Sequence, residues 1–152
     1  GACKGNQNVA TSANPAGWGA VGVEGCLGSP PQGGHAIVEL FGPVELQRSS
    51  PHFLGAEVGS NNTGELSAVC EALRWITECA DDSRNVVICY DSEYASNQAQ
   101  GFHRAHKNVL LSAKAKELLQ QARRRRQVRF LHVKGHSDHP WNDTADRLAN
   151  LG

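Results

Sequence analysis

Three acidic side chains sit where local structure can bring them to one place. Glu65 follows Asn61-Asn62-Thr63-Gly64 and stands at the edge of a stripe made by Leu66, Val69, Cys70, Leu73 and Ile76, which recur at helical spacing. Asp91 ends the apolar run Val86-Val87-Ile88-Cys89-Tyr90, and Asp146 opens the last helical stretch. A carboxylate one turn into a helix, at the rim of a sheet, can meet a second one from a strand end. Each of the three also has a structural role open to it. With Asn62 as N-cap, Glu65 is the third helical position of a capping box. Asp91 can cap the helix that follows it. Asp146, in a first turn, complements the helix dipole. Asp91 is the hardest to assign to structure alone, because a carboxylate at the end of a buried strand is costly unless paired, hydrogen-bonded or metal-bound.

Charge is sorted along the chain, although the formal net charge is +0. Between Arg104 and Lys134 stand ten Lys or Arg against Glu117 alone, and between Glu39 and Glu93 ten acids against Arg48, Arg74 and Arg84. A basic face beside an acidic one suits a polyanion handled together with metal ions; two solvated helix faces give the same pattern. The arginine run at 123–126 either complements a helix C-terminus or attracts nucleic acid. His132, His136 and His139, with Asp138, fit no four-ligand zinc spacing and have no Cys nearby. A loop His that moves protons or meets a phosphate is the better reading.

The elements that must position these groups follow from pattern. The 152 residues suit one domain, 1–152, with a proper core. No apolar run is long enough for a membrane-spanning helix, and no segment has the form of a signal peptide. Five Cys, odd in number and without a C-x-x-C pair, point to reduced thiols in an intracellular protein of nucleus, cytoplasm or mitochondrion. Residues 1–16 are loop-like. Residues 17–23, 36–46 (broken at Gly42-Pro43) and 53–58 alternate as strands joined by short turns, which predicts an antiparallel meander. A helix is expected over 63–79, then a strand over 85–90 so apolar that both its faces should be buried. Helices over 92–100 and 108–123, a strand over 128–133 and a helix over 142–151 complete the order. Helix crossovers in the second half want parallel strands. The fold class expected is therefore α/β with a mixed (α+β) sheet, three antiparallel strands followed by parallel ones, and helices on both faces.

Taken together, these residues resemble ribonuclease H of type 1, the cellular and retroelement family that cuts RNA in RNA–DNA hybrids. The resemblance runs nearly end to end. It is carried by Gly64-Glu65-Leu66, Tyr90-Asp91-Ser92-Glu93-Tyr94, Val133-Lys134-Gly135-His136-Ser137, His139-Pro140-Trp141-Asn142 and Asp146-Arg147-Leu148-Ala149, in family order. Gly1-Ala2-Cys3-Lys4-Gly5-Asn6 and Ala16-Gly17-Trp18-Gly19 look like the family's first turn and second strand. The resemblance implies four carboxylates holding two Mg²⁺ ions, with Mn²⁺ as an alternative, about 4 Å apart across the scissile phosphate. Glu65, Asp91 and Asp146 would be three of the four, and His136 would assist proton transfer or product release. Cys3, Asn6 and Asn62 would approach the hybrid's minor groove, where 2′-hydroxyls mark the RNA strand. Ser60 would lie near a DNA phosphate, and Glu93 and Asn142 would also face the substrate.

Four departures from the family pattern set further expectations. The family's first metal-binding Asp precedes the Gly matched by Gly1, and its central first strand has no counterpart here. A further segment or chain is expected to fill that place, and this chain alone is expected to cleave little. Glu93 stands where many relatives have Gln, and a carboxylate accepts but does not donate. The loop 7–13 is longer than usual, so Asn14 can take the place of Asn6. The segment 101–107 lacks the basic protrusion of some relatives, which leaves affinity to the arginine run at 123–126 or to a separate domain. The enzyme expected is a Mg²⁺-dependent endonuclease giving 5′-phosphate and 3′-hydroxyl ends. The alternatives are a catalytically retired module in a ribonucleoprotein and a domain of a reverse-transcriptase polyprotein.

Overall fold

The computed structural model describes residues 2–3, 16–27, 32–78, 84–102, 107–133 and 140–152. In chain order the elements are β1 (Ala2–Cys3), β2 (Ala16–Leu27), β3 (Gln32–Pro43), α1 (Asn61–Glu78), β4 (Val86–Tyr90), α2 (Glu93–Gln100), α3 (Val109–Arg123), β5 (Val128–His132) and α4 (Pro140–Leu151). The stripe read in the sequence builds the core. Leu66, Val69, Cys70, Leu73 and Ile76 of α1 are buried together with Leu111, Ala115, Leu118 and Leu119 of α3 and Ala95 and Ala99 of α2. Leucines and alanines at a period of 3.6 give each helix one apolar face, and the three faces close on one another.

α1 also packs on β2, and so does α4. Ala16 of β2 belongs to the α1 core, whereas Gly17, the next residue, faces the backbone of Ala149 in α4. Successive strand residues point to opposite faces, so α1 and α4 cover the two sides of β2. The α4 side is a slot for backbone. A Cβ on Gly19 would lie 2.5 Å from Ala149 N and 2.6 Å from Ala145 O. Only a residue without a side chain lets the helix come this close.

Among the described residues the antiparallel and parallel strands of the expected mixed sheet come in two parts. One is antiparallel, in the order β1-β2-β3; the other is the parallel pair β4-β5, with Val86 opposite Val128 and Tyr90 opposite His132. Among the described residues β1 meets β2 at Ala2–Gly17 and Cys3–Ala16. β4 is not buried on both faces: Val87 is 54% exposed, and Cys89 is exposed beside it.

The strand expected over 53–58 does not form. This segment turns, with Phe53 N donating to Ser50 O at 3.1 Å, and Gly55 has φ 115 against the backbone of Leu110 and Leu111. Leu54 and Ala56 pack on the core from a loop. Alternation alone cannot tell a strand from a loop that buries every second side chain. The third antiparallel strand is instead β1. β3 runs unbroken to Pro43, which still sits opposite Gly17 in the ladder.

Candidate active site

At two of the three acids the cap expected from sequence is made by another residue. The start of α1 is capped by Ser60, not Asn62. Ser60 Oγ accepts from Thr63 N at 3.1 Å, Thr63 Oγ1 accepts from Ser60 N at 2.8 Å, and Gly64 N donates to Ser60 O at 3.0 Å. The reciprocal pair satisfies two buried donors with two hydroxyls, so the cap is built on Ser60 and Thr63. Ser92, not Asp91, caps α2, its hydroxyl accepting from Ala95 N at 3.4 Å. α4 begins at Pro140, a good first helical residue. Its first-turn acid is Asp143, and Asp146 lies a turn further on.

Ser60 is buried within the cap, which ties up the hydroxyl that the sequence aimed at a phosphate. Ser60→Ala is expected to cost about 1 kcal/mol, lowering Tm by about 2–4 °C for a chain of this size. Thermal unfolding measures this directly. An unchanged Tm would show that the hydroxyl pair does not hold the helix start.

The acids themselves converge. Burial pushes the Glu65 carboxyl above the ordinary carboxylate range, and the negative charges of Asp91 and Asp146 push it the same way. α1, the end of β4 and α4 therefore bring three acids within electrostatic reach. Asp91 is held from two sides. Asn142 Nδ2, one turn before Asp146 on α4, donates to Asp91 Oδ2 at 3.3 Å, and the His132 ring meets Asp91 O at 3.3 Å. Asn142 thus reaches the acid cluster rather than only facing outward. Among the described residues no three His, Cys, Asp or Glu side chains are drawn into a ready-made metal cage. The donor set is nonetheless all carboxylate oxygen, the type a hard cation takes, and a cation there would relieve the strain on Glu65.

Other expected site residues divide. Asn62, in the first turn of α1, and Glu93, in the first turn of α2, are exposed. His136, Asn6 and Asn14 lie outside the described residues, and Cys3 is described only in its backbone.

The arginine run does not belong to this end of the molecule. It precedes Val128, at the opposite end of the parallel pair from Asp91. Arg125 Nη1 donates at 3.0 Å to Thr77 O, a residue about 18 Å along α1 from Glu65 at 1.5 Å per residue. Arg123 donates twice to Val128 O, and Arg126 Nη1 donates to Arg84 O. These guanidinium groups tie chain ends together. An open hollow lined by Thr77, Glu78, Gln121, Arg124 and Arg125 lies at the same far end.

Comparison with known proteins decides the family. A profile described as RNase H matches residues 23–152. Ribonuclease H of Cupriavidus metallidurans is 35% identical over 162 residues, covering 100% of this chain and 90% of that protein. The chain belongs to the ribonuclease H family. Ribonuclease HI of Neisseria meningitidis serogroup B is 32% identical over 136 residues, 84% of this chain and 88% of its own length. The crystal structure of RNase H1 from the halophilic archaeon Halobacterium salinarum matches with a TM-score of 0.65 at 23% identity, covering 98% of this chain and 89% of that one, which shows the ribonuclease H-like fold. The family is one of nucleic-acid-binding hydrolases, endoribonucleases of RNA–DNA hybrids.

Proposed function

We propose that this ribonuclease H hydrolyses the RNA strand of RNA–DNA hybrids at a centre formed by Glu65, Asp91 and Asp146, leaving 5′-phosphate and 3′-hydroxyl ends. The observation that carries this reading is the convergence of three acids, at helices whose caps are made by Ser60 and Ser92. Two Mg²⁺ ions, or Mn²⁺, would supply an activated water and charge compensation for the leaving oxygen. The chain's own residues do the rest. Glu65, Asp91 and Asp146 offer oxygen ligands, and Asn142 orients the Asp91 carboxylate. His136 serves proton transfer or product release. Asn62 and Glu93 are exposed at helix starts beside the acids, suited to the hybrid's minor groove together with Cys3, Asn6 and Asn14. Ser60 contributes by fixing the first turn of α1.

We further propose that a strand from another protein segment or chain completes the sheet. Among the described residues β2 has a partner on its β1 side only at Ala16 and Gly17, and β4 has a ladder partner only in β5. The thiols of Cys70 and Cys89, in no disulfide among the described residues, suit a reducing, intracellular compartment.

The test is cleavage of an end-labelled RNA–DNA hybrid in Mg²⁺ or Mn²⁺, by this chain and by the chain extended upstream with an Asp-bearing strand. RNA-strand cleavage by the extended form, abolished by EDTA, is expected. Metal-supplied inactivity of both forms would refute the nuclease reading in favour of a retired module.

A further inference from the structure

His132 meets Asp91 O, yet it is not one of the acids of the cluster. It fits no zinc pattern, and an exposed position at the end of a strand does not call for histidine. Yet its ring makes two contacts at the acid cluster. It packs on Tyr90, its partner in the β4-β5 register, with ring centroids 5.4 Å apart and tilted by 57°. Its Nε2 lies 3.3 Å from Asp91 O. A carbonyl oxygen carries no hydrogen, so the ring nitrogen must be the donor, and this contact selects the tautomer protonated at Nε2. The neighbouring Val133 N donates to Tyr90 O at 2.7 Å. β5 therefore grips two consecutive carbonyls where β4 ends, the second through a side chain. Ladder pairing does not reach that second carbonyl, because the chain turns there into Ser92 and the start of α2.

We infer that His132 is a positioning residue for Asp91. By holding the Asp91 carbonyl it fixes the peptide plane at the strand-to-helix turn, while Asn142 holds the carboxylate from α4. With both bonds in place the acid has one orientation. With the backbone bond lost, the Asp91 peptide can rotate and the carboxylate must be reordered each time a cation binds. The inference rests on Asp91 being a cation-holding acid, and the experiment separates the two.

The measurement is Mg²⁺ and Mn²⁺ binding by calorimetry on the chain without nucleic acid, with metal-free Tm alongside. His132→Phe keeps a ring on Tyr90 and removes the donor. His132→Gln removes the ring and places an amide N–H near where Nε2 stands. Partners that orient metal ligands are worth about 10–100-fold in metal affinity. The Phe variant is expected to bind about 10-fold more weakly at an unchanged metal-free Tm, with Gln restoring affinity to within about twofold of wild type. Wild-type affinity in the Phe variant overturns the inference. So does a Gln variant as weak as Phe, since the ring and not the donor then matters, and so does a Phe variant that loses affinity and metal-free Tm together. A wild-type chain that binds neither ion overturns the cation-holding role of Asp91, and this inference with it.

Discussion

In the chain extended upstream with an Asp-bearing strand, Glu65→Gln is expected to lose about 10²–10⁴-fold in hybrid cleavage and, without divalent ions at pH 7, to melt higher than the same chain with Glu65. The activity loss is the several kcal/mol that cation-borne charge stabilisation supplies, at 1.36 kcal/mol per decade. The gain in stability follows from the raised folded-state pKa of Glu65. A carboxyl whose pKa is raised by folding contributes stability that is full below its unfolded value, here 4.5, and is lost as pH rises through the folded value. At neutral pH the wild-type fold therefore holds a charge that burial and two neighbouring acids disfavour, and the amide removes it. Below pH 4.5 the two proteins should converge. Added Mg²⁺ should raise the wild-type Tm more than the variant's, because a bound ion stabilises only the form that binds it. A melting series over pH, with and without Mg²⁺, reads all of this. Equal Tm values at pH 7 without metal would mean that Glu65 is not a disfavoured charge.

A large structural effect is expected at Gly19. A side chain there meets Ala149 N at 2.5 Å, Ala145 O at 2.6 Å and Leu148 Cβ at 2.8 Å. The first two are backbone atoms of α4, so no rotamer change relieves the clash and the helix must move. Gly19→Val should cost about 3 kcal/mol, the upper end of overpacking, and lower Tm by about 6–12 °C. Because α4 carries Asp146 and Asn142, the same variant should bind Mg²⁺ more weakly. If it melts with wild type, α4 does not sit on β2 as described.

What the sequence made legible was what one local pattern can encode. The stripe on α1 came out buried at every position named, and β4, α3 and β5 were placed to within a residue because apolar runs and helical periods bound them. The family resemblance located the three acids on their elements. The rest depended on competition between neighbours. Asn62 and Ser60 are both good caps, and only the chain's entry direction, which puts Ser60 opposite the Thr63 amide, chooses between them. Pro140 starts α4 two residues before the expected point, which moves Asp146 out of the first turn. Asn142 and Asp146 are four apart, so their shared helix face was readable; that Asp91 lies opposite that face was not. The His132 contact needs the β4-β5 register, which no single strand encodes. The arginine run was ambiguous in sequence, and the fold sends it to the far end, where most of its members bind carbonyls.

Those carbonyls are neutral, so the guanidinium groups keep their full charge while held in place. Acids and arginines thus stand at opposite ends of the parallel pair, with Glu78 lining the hollow beside Arg124 and Arg125. A cation bound among Glu65, Asp91 and Asp146 would change the charge of that end alone, and with it how the molecule meets a polyanion.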